Sequence, residues 1–209
     1  MLFYQNEIVI ASSSNNGKIM LWKYEDDKFN LFREIQLYEN ELLNQQIESL
    51  EESIKYHELI CGNAHSKNIM FCDLNNTQLI VKIEISVNRC IRALKVIESG
   101  EILIVAGNNE INVIKLENKL ILMSIKYGID CEFNCIFQKK NGNLLITEYG
   151  NICKIKELKF ELKKFSLNIL SMKENDFKNY ITTIIELHNG DLIIGGYDKT
   201  IQFFKNPSK

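Results

Sequence analysis

The stretch ITTIIELHNGDLIIGGYDKTIQFF, residues 181–204, decides the fold. It holds three short apolar runs, ITTII, LIIGG and TIQFF, divided by the turn-forming segments HNGD and YDK. Such runs read as strands: β-branched side chains suit a pleated surface, while Gly, Asn and Asp tolerate turn backbone. The middle run has almost no polar residue, which is what a strand covered on both faces requires.

Working outward, the same unit recurs along the chain. IRALKVIESGEILIVAGNNEINVIK aligns with it without a gap, Ile91 on Ile181, Gly100 on Gly190 and Ile111 on Ile201. FNCIFQKKNGNLLITEYGNICKI, from Phe133, has one residue fewer before Ile152, and IESLEESIKYHELICGNAHSKNIMF, from Ile47, one more before Ile69. LFYQNEIVIASSSNNGKIMLW enters the unit partway. The marker residues Ile19, Ile69, Ile111, Ile152 and Ile201 are 50, 42, 41 and 49 residues apart. Periods of roughly 40–50 residues mark propeller blades. Each unit divides into four apolar stretches; in the third they are IRALKVI, EILIVAG, INVIKL and KLILMSI.

The expectation is an all-β propeller of four-stranded antiparallel blades, one domain of five units at 1–46, 47–90, 91–132, 133–180 and 181–209. Three are complete and two partial. The first has only a stub of inner strand within residues 2–5, and the last stops after its third strand, so the ring is expected to be open or incomplete. TIQFF then becomes an apolar edge prone to self-association. One segment competes: ELLNQQIESLEESIKY places Leu42, Leu43, Ile47, Leu50 and Ile54 at helical spacing. The match of Ile47, Leu50 and Gly62 to Ile181, Ile184 and Gly196 favours a strand from Ile47, with a short helix at 40–46.

NGDLIIGGYDKTIQFF, residues 189–204, resembles a WD40 repeat through Gly195, Gly196, Asp198, Thr200, Ile201 and Phe204. GKIMLWK carries the family's tryptophan at Trp22. Elsewhere the pattern decays. No unit opens on Gly-His or closes on Trp-Asp, Cys72, Ile114, Ile155 and Phe204 stand at the position of Trp22, and no unit has the full Trp/Ser/His/Asp network. The resemblance implies a non-enzymatic scaffold that binds proteins or peptides. Its contacts come from turns between second and third strands and from connections between units, which share one face. On that face the candidates are Asn63, His65, Arg89, Tyr197 and Asp198, with Phe177 and Tyr180 in a long connection at 168–180; aromatics and arginine are the usual hot-spot types. The resemblance also gives Asp198 a structural duty in its turn, and Phe177 can equally tuck beneath its loop. The alternatives are a fragment of a larger propeller scaffold with no independent role, and a propeller hydrolase.

Composition is that of an ordinary globular protein. Apolar residues make up 45%, enough for a core, and the net charge of −2 gives no electrostatic case for nucleic acid or anionic membrane. No apolar run approaches the ~20 residues that span a bilayer. The N-terminal stretch lacks a basic region and is broken by Glu7, so no signal peptide is expected. Six cysteines then point to free thiols in a reducing, cytoplasmic setting. No phosphate loop, HExxH, GxSxG or CxxC is present. Cys61, His65 and Cys72 have no second pair to complete a zinc site, and Cys135 reads as a small buried hydrophobe. Paired carboxylates would mark a glycosidase, but Asp130, Glu132 and Asp191 sit at turns, where solvated charge is the default. No catalytic residue, metal or cofactor is expected.

Overall fold

The computed structural model describes residues 2–4, 7–36, 46–63, 65, 68–74, 79–84, 90–97, 99–128, 131–149, 154–161, 166–174 and 180–205. Among the described residues nineteen strands form five antiparallel sheets, with one 3-10 turn at Ile54–Tyr56. The first sheet is β1 (Leu2–Tyr4), β2 (Glu7–Ser13), β3 (Lys18–Glu25) and β4 (Lys28–Gln36). The second is β5 (Ile47–Ser53), β6 (Glu58–Asn63), β7 (Asn68–Asp73) and β8 (Leu79–Glu84). The third is β9 (Ile91–Val96), β10 (Ile102–Gly107), β11 (Glu110–Lys115) and β12 (Leu120–Lys126). The fourth is β13 (Glu132–Gln138), β14 (Leu144–Tyr149), β15 (Lys154–Glu161) and β16 (Ser166–Glu174). The fifth is β17 (Ile181–Glu186), β18 (Leu192–Gly196) and β19 (Ile201–Phe204). In every sheet the strands lie in chain order, so each is an up-and-down blade.

The blades stack face to face in sequence, and apolar clusters fill the gaps. Leu21, Ile35, Leu59 and Met70 join the first two. Phe71, Ile91, Leu103 and Ile114 join the second and third, Ile104, Val113, Phe133 and Leu158 the third and fourth, and Leu145, Ile155, Ile184 and Ile194 the fourth and fifth. This explains the unbroken apolar second strands: β6 and β10 are buried along their whole length because each contacts a blade on both sides. Each fully buried Leu, Ile or Phe contributes about 1.5–3 kcal/mol relative to exposure. Among the described residues no apolar cluster joins the fifth blade to the first, although one joins every other neighbouring pair, and the stack is an open arc.

Two β-bulges recur where the sequence repeat has faded. The inner strands β5, β9, β13 and β17 each carry one extra residue against the second strand: Glu48, Arg92, Asn134 and Thr182. The outer strands each carry one opposite Trp22, Cys72, Ile114 and Leu158. This corrects the repeat alignment. In the fourth blade Leu158, paired with Leu144, stands where Trp22 pairs with Ile10, whereas Ile155 pairs with Thr147 and faces the fifth blade. The turn before β15 is longer than the sequence alignment allowed. Likewise, the ungapped match of the third and fifth units conceals two compensating changes. Leu103 and Leu192 are equivalent, as are Ile114 and Phe204, so one turn is a residue longer in the third blade and the next a residue shorter.

The competing segment is resolved from Ile47 onward as strand β5; the helix expected at 40–46 falls outside the described residues except Gln46, which is not helical. The connection expected at 168–180 is corrected: residues 166–174 are the fourth blade's outer strand, paired along β15. The run SLNILSMKE alternates as a one-sided strand should.

Candidate functional site

At one end of the arc the turns between second and third strands meet the connections between blades. The Asn109 amide donates to the Cys131 carbonyl at 2.7 Å and the Tyr127 amide to the Asn109 carbonyl at 2.7 Å. In the last blade the Tyr197 amide donates to the Tyr180 carbonyl at 2.8 Å. These bonds fasten variable loops to a packed stack, the arrangement by which scaffolds present binding residues.

Three consecutive blades bring a polar and aromatic cluster together on this rim. Arg92 is the bulged residue of β9, Glu132 opens β13, Tyr149 closes β14, and Tyr180 directly precedes β17. The Tyr180 hydroxyl donates to Glu132 Oε2 at 3.0 Å, and an Arg92 guanidinium nitrogen lies 3.6 Å from the same oxygen. Arg92 also sits over the Tyr180 ring, 5.8 Å from its centroid, and the Tyr180 and Tyr149 rings stack at 3.9 Å. Arg92 and Glu132 are 27% and 31% exposed, so the pair is neither solvated freely nor sealed. Among the described residues, Arg92 Nε is buried with no hydrogen-bond partner. Burial, and donation to Glu132, push the Tyr180 hydroxyl pKa up. Burial likewise raises the neighbouring Cys90 thiol.

Of the sequence candidates, Tyr180 lies in this cluster. Tyr197 is 73% exposed on the adjacent turn. Asp198 accepts from the Thr200 amide at 3.1 Å and the Thr200 hydroxyl at 2.6 Å, which fixes the turn. Asn63 is buried, and its side-chain oxygen accepts from the amide of exposed His65 at 2.7 Å, so it shapes its turn from within. Arg89 and Phe177 lie outside the described residues. Sequence reading missed Arg92, Glu132 and Tyr149. A signal was present: at the start of the inner strands Ile47, Ile91, Phe133 and Ile181 are followed by Glu48, Arg92, Asn134 and Thr182, breaking strand alternation at the same place in four units.

Cys61 and Cys72 are buried in the cluster between the first two blades, while His65 is exposed. Burial holds the Cys61 thiol well above its ordinary pKa. The Cys131 thiol donates to Glu148 at 3.1 Å and its pKa is pushed up to about 11, by burial first and by that carboxylate second. Lys156 pairs with the same carboxylate and lies 4.6 Å from the Tyr127 ring centroid. Among the described residues no three His, Cys, Asp or Glu side chains are placed to hold a metal ion. In the first blade Trp22 Nε1 donates to Ser12 Oγ at 2.8 Å, joining third strand to second.

No family model and no curated protein matches the chain. Among solved structures it is similar to the crystal structure of the WD40 β-propeller domain of Doa1, with a TM-score of 0.71 and 18% identity over 96% of this chain. The chain spans 62% of the length of that structure's chain. The blade order, the stacking and this likeness agree: the chain has the fold of a WD40-like β-propeller, built here as an open arc of five blades.

Proposed function

We propose that the chain is a non-enzymatic scaffold that binds a protein or peptide partner at the rim where Arg92, Glu132, Tyr149 and Tyr180 converge. The observation that carries this reading is the cluster itself: arginine and tyrosines from three blades, partly exposed, on a packed frame. Those are the residue types that dominate binding energy at interfaces. Arg92 offers a partly exposed guanidinium, and the paired tyrosine rings offer an apolar surface beside it. Tyr197 extends the surface outward. The general tendency of WD40-like propellers to act as interaction platforms supports the reading. The setting we propose is cytoplasmic and reducing, in keeping with the buried Cys61 and Cys72 thiols.

The test is affinity capture with quantitative mass spectrometry, comparing the wild-type chain with an Arg92→Ala, Tyr149→Ala double variant of unchanged thermal unfolding. Proteins retained by the wild type and lost by the variant are the expected result. An identical retained set for both would overturn the site.

A further inference from the structure

The shared register of second and third strands sets three side chains next to one another on the same face of every blade. In the second blade they are Cys61, Met70 and Cys72. Cys61 pairs directly with Met70, and Cys72, two residues further along β7, pairs with Leu59. The equivalent places hold Ser12, Met20 and Trp22 in the first blade and Val105, Asn112 and Ile114 in the third. No blade but the second has sulfur at more than one of them.

All three sulfur residues are fully buried, in the apolar cluster that joins the first two blades. The Cys61 thiol donates to the Cys72 sulfur, which draws the Cys72 pKa down, while burial first and that bond second hold Cys61 up. In the first blade the same two places are Ser12 and Trp22, also joined by a hydrogen bond. Packing alone does not ask for cysteine here, since Val105 and Ile114 fill these places in the third blade and are equally buried. Nor does the register suit a disulfide. Cys61 and Cys72 are diagonal neighbours, a relation that sets residues about 7–8 Å apart, beyond the ~6.8 Å limit of disulfide-bonded Cα atoms. The thiols meet without reaching bonding distance, and Met70 adds a flexible thioether directly across from Cys61.

We infer that Cys61, Met70 and Cys72 form a three-sulfur binding site for Cu(I) in the gap between the first two blades. Thiolate and thioether are soft donors, and softness selects this ion. Other metals fit less well. Structural zinc takes four ligands from Cys, His and carboxylate, calcium and magnesium take oxygen, and iron–sulfur clusters take four cysteines. The ligands stand on two hydrogen-bonded strands of one sheet, so the scaffold holds them near each other before the ion arrives. On binding, the cysteine S–H bonds break as copper–sulfur bonds form; the protons pass to solvent and no electron is transferred. Met70 ligates through a sulfur lone pair and loses no proton. Thiolate cancels the single charge of the ion, so no unpaired cation is buried. The site uses none of the rim residues, so either can fail without the other.

The test titrates the reduced full chain, without oxygen, against Cu(I) buffered by the chromogenic chelator bicinchoninate. Each point is followed to equilibrium, since the ion enters only when the gap between blades opens. Withdrawal of one copper per chain is expected, with an all-sulfur shell by X-ray absorption. The unfolding temperature should rise, because an ion held by the folded state alone stabilises it. Met70→Leu, which keeps the apolar volume, should weaken binding about tenfold or more. Cys61→Ser with Cys72→Ser should abolish it, whereas Cys90→Ser with Cys131→Ser should leave it unchanged. No withdrawal of copper, equal binding by Met70→Leu, or loss of binding on replacing Cys90 and Cys131 would each overturn the inference. The methionine variant and the X-ray shell keep the test decisive even if the double serine variant at Cys61 and Cys72 fails to fold.

Discussion

Phe71 and Phe203 hold the same place in their blades, one residue before Cys72 and Phe204 on the third strand, facing the next blade. Phe71 is fully buried, whereas Phe203 is 71% exposed. The marker isoleucines differ in the same way: Ile111 is buried and Ile201 is 67% exposed. Together with Ile185, 51% exposed, they give the last blade an apolar face without a neighbour among the described residues. The first blade mirrors it, with Tyr24, Phe29 and Leu31 about half exposed on its outer side. An isolated blade is apolar on both faces by design of its repeat. Burial is therefore conferred by stacking, and the two ends of the arc retain the surface that the interior blades spend on each other.

The largest effect sharpens that contrast directly. Phe71→Ala should destabilise the protein by about 3–5 kcal/mol, since it removes a large side chain from a packed gap. Phe203→Ala should change stability by no more than about 0.5 kcal/mol. Urea unfolding of both variants measures the difference; equal losses would mean that the last face is covered. Next in size is a glycine pair. A Cβ at Gly107 would meet the Cys90 carbonyl oxygen at 1.9 Å, backbone that cannot yield cheaply. At Gly195 it would meet only the Thr183 methyl at 2.9 Å, on an exposed residue of the last blade. Gly107→Ala should cost about 1–3 kcal/mol, and Gly195→Ala clearly less, by the same unfolding assay.

A smaller effect follows from pH. Burial acts to raise the Glu148 carboxyl, but hydrogen bonds from Lys156 and Cys131 outweigh it and hold its pKa below the ordinary value. The folded state then binds a proton less readily than the unfolded chain. The resulting stability is present above the unfolded carboxylate value, about 4.3, and is lost as pH falls through the lower folded value. Glu148→Gln should flatten the acid limb of a thermal-unfolding profile over that window while leaving the slope around neutral pH alone. An unchanged acid limb would remove Glu148 from the account. The smallest effect is at the open end of the arc, where Ser12→Ala should cost about 1 kcal/mol through loss of the Trp22 bond and shift tryptophan emission. Trp22 is the single tryptophan, so the emission change reports this site alone.

Much of the architecture was legible because the apolar period and the turn residues are set by local chemistry. The second strands announced themselves in LIIGG and ILIVAG, and the strand at Ile47 was recovered against a helical spacing by matching Leu50 to Ile184. Equivalences across turns were harder. Ile155 was set on Trp22 because Ile152 stood in for the repeat's marker isoleucine, and only the bulge opposite Leu158 fixes the position. The rim cluster was half visible: Tyr180 follows from its connection, whereas Arg92 and Glu132 meet only when neighbouring inner strands are laid side by side.

The central claim is that five blades form an open arc whose end faces, among the described residues, are apolar and uncovered. Multi-angle light scattering across a concentration series tests it most directly. The account predicts a molar mass that rises above the 24.3 kDa of the single chain as concentration increases, and a return to that mass when Ile201→Asp and Phe203→Asp are introduced together. A wild-type protein that stays at the single-chain mass at every concentration would contradict it and favour a tight, closed five-bladed ring.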